Sequence, residues 1–150
     1  MRGQPAFGKS IWRSQLELLA RPCDIRGGKT VADLLQHIVA VELRYAERLN
    51  GEPETPYDQI PKTSVDLLYE THDRAVKKLR KLEDEADVFW NERIHFETRS
   101  GQLSATRRVL FAHCLLHSIR HYAQLATLLR KENAGISASF DYLAFGEQSS

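Results

Sequence analysis

The sequence predicts an all-α fold, a four-helix bundle with a short hairpin or loop before its fourth helix. Three observations predict it. Apolar residues recur at helical spacing in four separate segments, the connections between them are short or rich in Pro and Gly, and one stretch near residues 92–107 changes to a two-residue period. The chain has 150 residues, 42% hydrophobic and 27% charged, with 8 glycines, which suits one soluble domain spanning 1–150 and excludes disorder and collagen-like repeats. At this length about two-thirds of the unfolded surface can be buried, so a full core needs neither disulfides nor a structural metal.

The first helix is expected from Ser10 to Ala20, where Trp12, Leu16, Leu19 and Ala20 share a face and Pro22 ends the run. Gly27-Gly28 breaks the chain. Thr30 then caps a second helix with Asp33 at its third position, and Leu34, Leu35, Ile38, Val41, Tyr45 and Leu49 form an apolar stripe up to Gly51. Residues 51–62 hold Gly51, Pro53, Pro56 and Pro61, the composition of an extended surface connection. From Ser64, the residues Val65, Leu68, His72, Ala75, Leu79, Leu82, Ala86 and Phe89 alternate steps of three and four, predicting one long third helix.

Ile94, Phe96 and Thr98 alternate with Arg93, His95 and Glu97, and Ser100-Gly101 can turn the chain back along Leu103, so a small hairpin or an irregular loop is expected here. Ser104 is the expected cap of a fourth helix running to about Glu132, with Arg130 and Lys131 at its negative end and Asn133-Ala134-Gly135 stopping it. Its apolar residues lie nearly all the way round, as expected of a helix packed against several neighbours. The tail Phe140–Phe145 carries enough apolar area to dock back on the bundle.

A formal net charge of +1 argues against a broad nucleic-acid footprint. The basic run Lys77-Lys78-Leu79-Arg80-Lys81 is followed by Glu83-Asp84-Glu85 and reads as a solvated helix face. Cys23 and Cys114 form no Cys-x-x-Cys pair, and MRGQPAFGKS lacks the apolar core of a signal peptide, so a reducing, cytoplasmic setting is expected. No apolar run approaches the length of a membrane span.

The chemistry centres on histidine. His113, His117 and His121 lie at i, i+4 and i+8 of the fourth helix, each turned only about 40° from the last. Neighbours four apart can aim two imidazoles at one ion, whereas His113 and His121 are too far apart to share one, so the candidate pairs are 113/117 and 117/121. His37, among Leu34, Leu35, Ile38 and Val41 on the inward side of the second helix, is the best third ligand. His72 is expected to be a satisfied core histidine and His95 to face solvent. Cys114 reads as core, and Ser118 points away from the stripe. Gln124, one turn beyond His121, suits either a hydrogen bond to a ligand or a polar rim. Glu42 is about 140° around the helix from His37 and is not expected to face the site.

At these residues the chain resembles the DinB/YfiT-like family of metal-binding four-helix bundles. VADLLQHIVAVELRYAERL is similar to the family's second-helix element, and HSIRHYAQLATLLR to its late His-x-x-x-His followed by a small residue and Gln. The resemblance implies His37, His117 and His121 as the ligands of one divalent metal ion such as zinc, nickel or iron, with His113 a neighbour only. It further implies an open coordination position, a homodimer, and a metal-dependent enzyme acting on a small-molecule substrate. Transfer from a low-molecular-weight thiol stands ahead of hydrolysis. A non-catalytic, metal-stabilised interaction module is the alternative. The likeness runs from about Val31 to the Phe140–Phe145 tail, and the first helix is shorter than the family's usual one.

Overall fold

The computed structural model describes residues 16–25, 28–98 and 100–131. Its central element is helix α1, Val31–Leu49, none of whose residues is exposed. Thr30 starts it with a capping box. The Thr30 hydroxyl accepts from the Asp33 backbone N–H, and the Asp33 carboxylate accepts from the Thr30 backbone N–H. A Schellman ending closes it, since Gly51 N–H donates to Arg48 O and Glu52 N–H to Glu47 O, with Gly51 at φ 69°. Ile38 and Leu34 are 0% and 1% exposed, and burial of side chains of this size stabilises by about 1.5–3 kcal/mol each.

Helix α2, Val65–Arg80, packs along one side of α1, and the last long helix packs along another. Cys23, Leu34, Leu35, Ile38, Ile60, Val65, Leu68, Leu125 and Leu129 form the main core, from which Leu43, Ala46 and Ala75 continue along the α1/α2 seam. The connection over 51–62 is extended apart from one 3-10 turn at Tyr57–Gln59. Ile60 seals it to the core, and its carbonyl accepts from the Gln36 side chain at 2.6 Å.

The expected all-α class is corrected to a mixed α/β arrangement, in which the described residues form four helices and two small antiparallel sheets. The first sheet, β1 at Pro22–Ile25 with β2 at Gly28–Thr30, occupies a stretch expected only to break the chain. Pro22 opens an edge strand because a strand's first residue can do without its N–H. Of the expected first helix, residues 10–15 lie outside the described residues, and Leu16–Ala20 is a 3-10 segment. The second sheet is the expected hairpin, β3 at Arg93–Thr98 and β4 at Gly101–Thr106, in register from Arg93↔Thr106 to Thr98↔Gly101. Ile94, Phe96 and Ala105 put its inner face against Leu49, Leu82 and Leu110.

The third expected helix is also corrected. It ends at Arg80, and turns of i→i−3 hydrogen bonds carry Leu82, Glu83 and Glu85 to a separate short helix, α3, Asp87–Asn91. The charge run explains the stop, because Lys77, Lys78 and Arg80 favour a helix C-terminus and Glu83-Asp84-Glu85 oppose its continuation. Helix α4 spans Arg107–Lys131 and begins later than expected. Thr106 is its cap, accepting from Val109 N–H, while Ser104 lies in β4 and is bonded by Arg93. Leu110, Cys114, Ser118, His121, Leu125 and Leu129 are the buried stripe of α4, and Val109, Leu115, Leu116 and Ile119 are exposed. Among the described residues α4 therefore packs on one side, not all round. The expected helix stop at Asn133–Gly135 and the docking tail Phe140–Phe145 lie outside the described residues. No helix among the described residues is long and apolar enough to cross a membrane.

Candidate metal centre

The seam between α1 and α4 is apolar at one end, where Leu34, Leu35 and Ile38 share a core with Leu125 and Leu129. Just beyond that core the two helices turn three imidazoles towards one another. His37 comes from α1, and His117 and His121, one helical turn apart, come from α4. One ligand atom from each lies within 4.8 Å of the others. The Nε2 atoms of His37 and His117 are 3.0 Å apart, and the three ring centroids are separated by 4.8, 4.9 and 4.4 Å.

Gln124, one turn after His121, accepts from His121 Nδ1 at 2.7 Å through its side-chain oxygen. That bond leaves His121 Nε2 with a lone pair, the form a metal ligand requires. Arg120 NH2 donates to the same Nε2 at 3.2 Å. His117 Nδ1 is buried without a hydrogen-bond partner among the described residues. Burial, then the charges of His121, His37, Arg120 and His113, push His117 down to about 3, and burial together with Arg120 lowers His121 against the Gln124 bond. Those two imidazoles are therefore neutral at physiological pH.

The residues fit a divalent ion. Two nitrogens on a tetrahedral zinc at 2.0–2.1 Å are about 3.3 Å apart, close to the spacing of the two Nε2 atoms. Metal binding needs neutral imidazoles with inward lone pairs, and Gln124 supplies the outer hydrogen bond that fixes one of them. Among the described residues the cluster has three members, and a metal held by these three alone would keep a position for water or substrate.

The other histidines go elsewhere. His113 is exposed and stacks on Tyr45, with ring centroids 5.5 Å apart. His95 is exposed on the outer face of β3. His72 on α2 is the satisfied histidine expected, its Nδ1 lying 2.7 Å from a carboxylate oxygen of Glu42. Burial opposes charge on His72, but the Glu42 hydrogen bond and charge, with Asp73, outweigh it and raise the imidazole above its ordinary value. Cys114 is 1% exposed, and burial with the nearby Glu42 charge pushes its thiol up to about 12, so it is packing and not a nucleophile. Ser118 Oγ is buried with no hydrogen-bond partner among the described residues.

Sequence reasoning missed Arg120 and the partner of His72. Arg120 sits about 100° around the helix from His121, off the histidine stripe, and its long side chain folds back to the ring. Glu42 is not a member of the imidazole cluster among the described residues, and its partner on α2, with Tyr122 bonded to it, depends on how the helices meet.

A family model described as the DinB superfamily matches residues 13–125. No curated protein matches the chain. The matched stretch exceeds half of the chain and contains all three clustered histidines, and the chain belongs to the DinB superfamily.

Proposed function

We propose that this DinB-superfamily protein holds one divalent metal ion, of the zinc, nickel or iron type, through His37, His117 and His121, and uses it for thiol-dependent transfer. The observation that carries the reading is the mutual facing of three imidazoles from two helices, with the His121 tautomer fixed by Gln124. Helix α1 contributes His37 from a fully packed element, and α4 contributes its pair at a spacing that one helix face imposes. Bound there, the ion would supply a low-pKa water or thiolate at its open position. His117 and His121, held neutral by burial, would be two of the donors and His37 the third, and Gln124 keeps the His121 ring oriented.

Transfer is favoured over hydrolysis by what surrounds the cluster. A metal-bound water profits from a nearby general base, whereas a bound thiolate is itself the nucleophile. Among the described residues no carboxylate joins the cluster, and Glu42 is engaged by His72. The test is activity of metal-loaded protein with low-molecular-weight thiols and electrophilic acceptors, set against ester and amide hydrolysis, with and without chelator. Chelator-sensitive transfer of the thiol supports the reading. Chelator-sensitive hydrolysis without transfer moves the assignment to a hydrolase.

A second reading, a metal-stabilised interaction module, is favoured by the exposed Val109, Leu115, Leu116 and Ile119 on α4. A second copy of the chain is the partner that the family resemblance implies for it. In that case chelation would lower the melting temperature strongly while no small-molecule activity appears, because a structural site couples its binding free energy to folding.

A further inference from the structure

Arg120 is exposed on α4, yet its guanidinium reaches back to the cluster, where NH2 lies 3.2 Å from His121 Nε2. Arg44, Arg48, Arg107 and Arg108 each pair with a carboxylate. Among the described residues Arg120 has no carboxylate partner.

Donation to a neutral imidazole suits the guanidinium, but a metal on His121 Nε2 would displace the hydrogen bond and leave two positive charges side by side unless something negative joins them. Gln124 takes Nδ1 of His121, so Nε2 is the nitrogen a metal would use, and Arg120 occupies that nitrogen's surroundings with a permanent positive charge. A dication and a guanidinium beside one nitrogen repel each other, and an anion lying between them reverses the sign of both interactions. A guanidinium presents a planar fork that matches a carboxylate with two parallel hydrogen bonds. We infer that Arg120 is the specificity residue of the site, binding a carboxylate on the substrate or thiol whose reacting atom takes the open metal position. This rests on the metal reading above and adds to it the charge of the ligand: a carboxylate-bearing thiol or a small carboxylate acceptor, and not a neutral one.

The experiment uses the full chain loaded with cobalt(II), whose visible absorption reports each ligand directly. Wild type, Arg120→Met and Arg120→Lys are titrated with 3-mercaptopropionate and with 3-mercaptopropanol, which share a thiol and a chain length and differ in the carboxylate. Wild type should bind the carboxylate thiol about tenfold or more tightly than the alcohol, the scale of a charge-assisted hydrogen-bonded pair. Arg120→Met should lose most of that preference while keeping full cobalt content, and Arg120→Lys should fall between. Without thiol, Arg120→Met should bind cobalt more tightly than wild type, because a repelling charge has gone. An equal preference in wild type and Arg120→Met overturns the assignment and leaves the metal reading standing. Absence of cobalt uptake by wild type overturns the metal reading and the inference with it.

Discussion

Helix α1 carries two polar seams, one on each side, and they treat histidine in opposite ways. Towards α4, His37 meets His117 and His121 with no carboxylate in the cluster among the described residues, and the His117 and His121 rings are pushed towards the neutral form. Towards α2, Glu42 meets His72 at 2.7 Å, and the pairing raises that imidazole. The two seams belong to the same helix and start five residues apart, so burial alone does not separate them. What decides a histidine's role here is the group that faces it. A facing carboxylate makes a structural ion pair, and facing imidazoles make a ligand set.

The largest effects should follow from removing a member of the imidazole seam. His37→Ala and His121→Ala are expected to lose high-affinity metal uptake, by about two orders of magnitude or more, while His72→Ala keeps it. Competition against a fluorescent zinc chelator measures this, and retained affinity in His37→Ala would break the contrast. Next in size is Glu42→Ala, which strips a half-buried imidazole of its carboxylate and should destabilise by about 3 kcal/mol in urea melts with metal content intact. Gln124→Ala should weaken metal binding about tenfold with little change in stability, since it removes only the bond that orients His121.

The smallest effect is the most diagnostic of the opposite signs. His72 has a folded value raised above its ordinary 6.5, so the Glu42 pairing contributes fully below about pH 6.5 and is lost as pH rises through the folded value. The stability gap between wild type and His72→Gln should therefore be wider at pH 6 than at pH 9. His117 is depressed from 6.5 to about 3, so metal-free protein should lose stability as pH falls below about 6.5, and His117→Gln should flatten that loss. Equal pH slopes in the two variants would erase the distinction between the seams.

Much of this was legible from spacing. Periodicity located α1, the capping Thr30, the β3–β4 hairpin and the shared face of His117 and His121, because each is a local pattern. The mixed class was missed because β1–β2 lies in a short stretch where Pro22 and Gly27-Gly28 signal only a break, and a two-strand ladder needs pairing that no single segment displays. The helix expected to reach Phe89 kept its apolar spacing past Arg80, yet three acids at a helix C-terminus outweigh a few well-placed apolar residues. The exposed apolar face of α4 shows the limit in the other direction, since composition reports how apolar a helix is and not how many neighbours cover it. Arg120 and the Glu42–His72 pair lie beyond spacing altogether, because each depends on where a long or cross-helix side chain comes to rest.

The most direct test of the central claim is the metal content of untagged wild-type protein, purified without chelator and compared with His117→Ala and His113→Ala. His117 stands at the middle of the cluster, while His113, one turn earlier, stacks on Tyr45. The account predicts near-stoichiometric metal in wild type and His113→Ala and its loss in His117→Ala. Protein that takes up no zinc, nickel or iron, or that loses it equally in both variants, would contradict it.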